Sequence, residues 1–172
     1  MSDLASNDWT RRRFMTAVAA TGFAGAAMMH GVEVQAKSSI GVDEAIRKLT
    51  AGNERFVAGK LTSFDLDLKI LRERTVEKQE PFAAILSCAD SRVPAELVFD
   101  QSIGHLFVTR VAGNMITPEI IGSLEYGVAV LGVKVILVLG HAKCGAVSAA
   151  MKAQEVPGQI SVLYQHIVPA IR

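Results

Sequence analysis

Two short stretches of this chain hold an unusual concentration of reactive groups: Cys88-Ala89-Asp90-Ser91-Arg92 and His141-Ala142-Lys143-Cys144. Thiolates and a neutral imidazole are the donors that zinc prefers, so the chemistry these residue types suggest is metal chemistry. A structural zinc fills all four positions with side chains, whereas a catalytic zinc keeps three and leaves one open. Cys88, His141 and Cys144 supply three ligands, and the chain has no other cysteine. The fourth position then falls to water or to a nearby oxygen donor such as Asp90. The competing reading is a pair of inert buried thiols, or a disulfide, with His141 capping a strand. It leaves Asp90, Arg92 and His141 without a reason to cluster. The cysteines do not form a Cys-x-x-Cys pair, which argues against a thiol redox protein.

The residues around these stretches must bring them together. Each follows an apolar run: Phe82-Ala83-Ala84-Ile85-Leu86-Ser87 before the first, Val133-Lys134-Val135-Ile136-Leu137-Val138-Leu139-Gly140 before the second. Near-continuous apolar runs are typical of strands buried on both faces in a parallel sheet. Two such neighbours deliver both stretches to the carboxyl edge, where open α/β sheets place ligand sites. The pattern predicts an amphipathic helix over 42–57 ended by Gly59 and a loop with a short helix over 60–80. It then predicts strands over 82–87, 106–110 and 133–139, and a turn of helix over 93–99. Thr117 as cap and Pro118 at the first helical position open a further helix that runs to 131 and stops at Gly132. A last helix is expected over 146–153. The alternation is that of an α/β fold, a parallel sheet core flanked by helices.

The two stretches are similar to the zinc signatures of the β-class carbonic anhydrases, Cys-x-Asp-x-Arg followed by His-x-x-Cys. Leu49-Thr50-Ala51-Gly52-Asn53-Glu54-Arg55-Phe56 resembles the family's N-terminal helix signature. Arg110-Val111-Ala112-Gly113-Asn114 resembles its second-strand exit, and Gly122-Ser123-Leu124-Glu125-Tyr126-Gly127 the helix that follows. The resemblance extends over roughly residues 41–172. It implies a zinc cofactor and reversible hydration of carbon dioxide to bicarbonate. It also implies a further core strand and closing helices beyond residue 172, so the last strand of the sheet is expected to be missing.

In such a site zinc lowers the pKa of bound water to about 7 in favourable cases. A centre with two thiolates is formally neutral and should acidify water less than a tris-histidine centre. The resemblance implies that Arg92 clamps Asp90, leaving a carboxylate oxygen to orient the nucleophile. It implies too that Asp90, if released, could itself ligate the metal. Gln79, Phe107, Ala112 and Gly145 match positions expected to bind or line the pocket for carbon dioxide. A hydrolase of carbon disulfide or carbonyl sulfide, and an exported zinc-binding protein without catalysis, are the alternatives. Family members are dimers or dimers of dimers, so a homodimer or homotetramer is expected.

Of the 172 residues, 18 are basic and 17 acidic, and the net charge of +1 gives no electrostatic reason to expect nucleic acid as partner. Only 6% are aromatic, so Ala, Val, Ile and Leu must build the core. Residues 1–36 differ from the rest. Thr10-Arg11-Arg12-Arg13-Phe14-Met15 opens a stretch rich in Ala, Gly and Met. A basic start, an apolar middle and a small-residue exit suggest a twin-arginine export signal, a periplasmic product and a domain over 37–172. Thr21, Gly22, Gly25, His30, Gly31 and Glu33 weaken the stretch as a membrane span, so no stable membrane insertion is expected after cleavage.

Overall fold

A computed structural model describes residues 37–63, 73, 75–76 and 78–171. The expected export signal over 1–36 and most of the expected 60–80 loop lie outside them. The described elements are α1 (Val42–Val57), β1 (Ala83–Ser87), α2 (Ala95–Val98), β2 (Leu106–Arg110), α3 (Pro118–Ala129), β3 (Val135–Leu139), α4 (Gly145–Met151) and α5 (Tyr164–Ile167). Short 3₁₀ segments cover Ala112–Asn114, Gly158–Leu163 and Val168–Ala170.

The three strands form a parallel sheet in the order β2-β1-β3. β1 lies between its partners, which is why all five residues of Ala-Ala-Ile-Leu-Ser are buried. Ala83 and Ile85 face a core built with Ala45 and Leu49 of α1 and with Ala95, Val98 and Phe99 around α2. On the opposite face α3 packs over β2 and β1, where the Phe107 and Tyr126 rings lie tilted with centroids 6.1 Å apart. β3 alternates: Val135, Leu137 and Leu139 lean on the core. Ile136 and Val138 are 45% and 59% exposed. The register pairs Ser87 with Arg110 on one side and with Leu139 on the other, so three strand ends are level at the carboxyl edge.

The observed limits follow the sequence pattern with physical adjustments. α3 has its Thr117 cap, whose hydroxyl accepts from the Ile120 N–H, but ends at Ala129 rather than 131. The Leu131 N–H returns to the Tyr126 carbonyl and the Val133 N–H to that of Gly127. Residues 130–134 are thus consumed in reversing the chain, and β3 starts two residues later than predicted. Among the described residues no helix is long and apolar enough to cross a membrane.

α1 approaches α2 so closely that only glycine fits between them. A Cβ on Gly52 would lie 1.7 Å from the Phe99 carbonyl oxygen. Gly52→Ala should therefore lower stability by about 3 kcal/mol, at the upper end of overpacking costs, despite alanine's better helix propensity. Gly122→Ala in α3, where nothing lies within 4 Å, should be neutral or slightly stabilising. Urea midpoints of the two variants check the contrast, and equal midpoints would refute it.

The end of α2 is anchored by Asp100, whose side chain is fully buried. Its carboxylate accepts from the Arg55 guanidinium, the Thr62 and Ser63 N–H groups and the Thr62 hydroxyl. Burial alone would raise this carboxyl, yet those donors hold it well below the usual carboxylate range. A depressed folded pKa means stability that is complete above the unfolded value of about 4 and lost as pH falls below it. Asp100→Asn leaves Arg55 unpaired and turns an amide towards N–H donors. The expected cost is about 3 kcal/mol at pH 7, with the acid-side loss of stability reduced. Thermal melts of both forms from pH 3 to 7 read this directly.

Candidate active site

The sheet builds the site from its carboxyl edge. Cys88 follows β1 directly and His141 follows β3 after Gly140, so pairing of Ser87 with Leu139 brings the two motifs side by side. Cys144 ends the second motif and stands immediately before α4. One ligand atom from each of Cys88, His141 and Cys144 falls within 4.8 Å of the others, and the two sulfurs are 3.9 Å apart. Among the described residues this is the only such cluster of three potential ligands.

The imidazole is oriented for a ligand's role. His141 Nδ1 lies 3.0 Å from the Ala142 carbonyl oxygen, which makes Nδ1 the protonated nitrogen of the neutral ring. Nε2 is buried without a hydrogen-bond partner among the described residues. A buried orphan nitrogen beside two buried thiols has the donor set and geometry of a three-ligand zinc site, so the residues present fit that ion. Burial alone would raise the Cys88 thiol. The Gly113 N–H, His141 and the Asp90 N–H outweigh it and bring the thiol down to about 7. The Cys88 sulfur in turn raises the pKa of His141 against the effect of burial. A cation bound there would compete with protons for Nε2 and would meet a thiolate already favoured near neutrality.

Asp90 stands over this cluster, its Oδ2 3.8 Å from His141 Nε2. Arg92 grips it three ways: Nε to Oδ1 at 2.8 Å, Nη2 to Oδ2 at 2.7 Å, and the backbone N–H to Oδ1 at 3.0 Å. The bidentate guanidinium holds the Asp90 carboxyl far below the usual carboxylate range. Arg92 Nη2 also reaches the Lys143 carbonyl at 3.3 Å, joining the two motif loops. Lys143 itself adopts φ +56, an uncommon conformation for a residue with a side chain.

The pocket residues expected from resemblance divide. Ala112 opens the 3₁₀ turn whose next residue, Gly113, donates its N–H to Cys88 Sγ at 3.3 Å, so it is brought to the cluster. Gly145 is the first residue of α4, and no atom lies within 4 Å of where its Cβ would be. Phe107 is not brought there within the chain. It pairs with Ala84 near the amino end of β1 and fills the space under α3. Gln79 is farther still, lining a recess with Thr75, Lys78 and Leu106 at the amino end of the sheet. A five-residue strand separates that end from Cys88 by about 17 Å. The sequence motifs alone specify neither of two further contacts: the Gly113 N–H on the sulfur, and the Arg110 side chain on the carbonyls of the first loop. The Arg-Val-Ala-Gly-Asn string was the available signal for both.

A family model described as carbonic anhydrase matches residues 83–172. Carbonic anhydrase 2 of Mycobacterium tuberculosis is 49% identical over 109 residues, covering 63% of this chain and 52% of that protein. A carbonic anhydrase of Mycolicibacterium smegmatis is 42% identical over 131 residues, covering 74% and 63%. This chain thus spans about half to two thirds of the length of these curated relatives. Among solved structures, the β-carbonic anhydrase CcaA aligns with a TM-score of 0.54 and 27% identity, over 73% of this chain and 62% of that one. The Coccomyxa β-carbonic anhydrase gives the same TM-score and identity over 76% and 55%. With the sheet order, the Cys–His–Cys cluster and these matches in agreement, the chain belongs to the β-class carbonic anhydrase family.

Proposed function

We propose that this protein catalyses the reversible hydration of carbon dioxide to bicarbonate at a zinc ion held by Cys88, His141 and Cys144. The observation that carries the reading is the orphaned His141 Nε2 between two thiols, with an arginine-clamped carboxylate standing 3.8 Å away. When bound, zinc supplies the positive charge that makes water a nucleophile near neutral pH. Asp90 accepts a hydrogen bond from the attacking oxygen and aims its lone pair at the carbon. Arg92 keeps that carboxylate ionised, fixed in direction and withheld from the metal. Nothing lies within 4 Å of where a Cβ on Gly145 would stand, and that open space directly after Cys144 suits a small uncharged substrate.

The test is stopped-flow hydration of carbon dioxide by the zinc-loaded chain, with carbonyl sulfide hydrolysis measured beside it. Hydration that disappears with a chelator and returns with zinc is expected. One zinc per chain with no hydration above background would defeat the reading.

Two features of the setting belong to the same proposal. The chain associates with itself. Val42, Ile46, Phe56 and Val57 continue the apolar stripe of α1 around to solvent, at 51%, 48%, 39% and 78% exposure, and such a stripe needs a surface to cover. Sedimentation at micromolar concentration should find a dimer or larger. Residues 1–36 direct export by the twin-arginine route, an assignment supported by Arg11-Arg12-Arg13-Phe14 before the small-residue stretch. Replacing Arg11, Arg12 and Arg13 with lysine should hold the product in the cytoplasm.

A further inference from the structure

The geometry assigns Arg110 as a positioning residue that fixes the zinc-ligand loop through its backbone. This inference rests on the zinc reading above, although its test does not depend on turnover. Arg110 is the last residue of β2 and pairs with Ser87, the last residue of β1. Its side chain extends along the neighbouring loop, where Nε donates to the Cys88 carbonyl at 2.9 Å and Nη2 to the Asp90 carbonyl at 2.6 Å. One guanidinium thereby holds the backbone at a metal ligand and at the carboxylate that acts beside the metal.

The consequence follows from planarity of the peptide group. The Cys88–Ala89 peptide is held at both ends: its carbonyl by Arg110, and its N–H by the Val111 carbonyl at 3.2 Å. A plane pinned at both poles fixes the backbone torsion that aims Cys88 Sγ. The Asp90 carbonyl is held by Arg110 and also accepts from the Val93 N–H at 3.3 Å. With the carbonyls of Cys88 and Asp90 both turned to Arg110, the intervening Asp90 N–H is left to face the Cys88 sulfur. Arg92 does for the Asp90 carboxylate what Arg110 does for the main chain beneath it. The two contacts require a fork of donors with fixed spacing. An ammonium supplies a point charge instead and has no planar fork with which to hold both carbonyls.

Groups that orient metal ligands without touching the metal typically carry a 10–100-fold effect on metal affinity or activity. Arg110→Ala in the full chain should therefore weaken zinc at least tenfold in a competition titration against a chromophoric chelator. Arg110→Lys should recover only part of the loss. With cobalt(II) in place of zinc, the visible bands of Arg110→Ala should shift in position or intensity, because Cys88 no longer meets the metal at its set angle. Circular dichroism of the metal-saturated variants should match the parent, as expected for an exposed residue. The proposal is overturned if both variants keep the parent's zinc affinity and cobalt spectrum. It is overturned equally if affinity falls only in step with the folded fraction at saturating metal, since Arg110 would then be a general structural brace. A parent protein that binds zinc tightly but hydrates no carbon dioxide defeats the proposed activity and leaves the Arg110 result readable.

Discussion

Cys88→Ser and Cys144→Ser should each leave a protein that loses zinc during gel filtration, while the parent keeps one ion per chain. Among the described residues, the two sulfurs and the His141 nitrogen form the one cluster of three potential ligand atoms within 4.8 Å of one another. A serine hydroxyl in place of a thiolate removes one of three strong donors. If total binding is comparable to that of structural zinc, about 10–16 kcal/mol, losing a third of it weakens the metal roughly a thousandfold. Stability should fall in parallel, because a ligand that binds only the folded chain stabilises it in proportion to the logarithm of its affinity. The melting temperature of the parent should thus rise with added zinc and that of either variant should not. Acid should release zinc from the parent, since protons compete for Cys88, whose thiol titrates at about 7 without metal, and for His141, whose proton is held more tightly than usual. Full zinc occupancy in either serine variant would remove these residues from the ligand set.

What the sequence revealed and what it concealed divide along a physical line. The β1 run and Cys88 were legible because a strand buried on both faces is apolar throughout, and a reactive residue directly after it lies at the sheet edge. The same reasoning found β3 and His141, and the period of the apolar residues found α1 to the residue. Gln79 and Phe107 were assigned by matching positions along the chain. Where they lie relative to Cys88 needed the register, which sets Phe107 level with Ala84 and leaves Gln79 in the recess before β1. Arg110 needed the register, because its contact with the Cys88 carbonyl exists only when Ser87 and Arg110 are level. Asp100 was invisible for another reason. An aspartate in Phe99-Asp100-Gln101 reads as a surface turn, and only the packing of residues 62–63 over it makes it a buried anchor.

The dyad gives the most discriminating result, because its two members should fail differently. Asp90→Asn should retain zinc and lose about a hundredfold in turnover, the order expected when a nucleophile is no longer held in line. The amide cannot replace the carboxylate as acceptor, and it gives up the charge that Arg92 grips at 2.7 Å and 2.8 Å. Arg92→Ala should lose a similar factor by another route. Without Arg92 the Asp90 carboxylate is freed from a three-way hold, and its Oδ2 stands 3.8 Å from His141 Nε2, one of the atoms that would hold the metal. X-ray absorption on zinc should then detect an added carboxylate oxygen in Arg92→Ala and none in Asp90→Asn. The pH profile separates them again. In the parent, Asp90 is held well below the usual carboxylate range, so it is ionised across the neutral and alkaline region. Its own titration cannot produce the rise of activity towards alkaline pH that a formally neutral metal centre predicts. Asp90→Asn should keep that rise at a reduced height. Arg92→Ala should stay low until more alkaline pH, where hydroxide competes better with the carboxylate for the metal. Near-parent rates in both variants from pH 7 to 9 would mean that Asp90 and Arg92 brace the loop and take no part in directing the nucleophile.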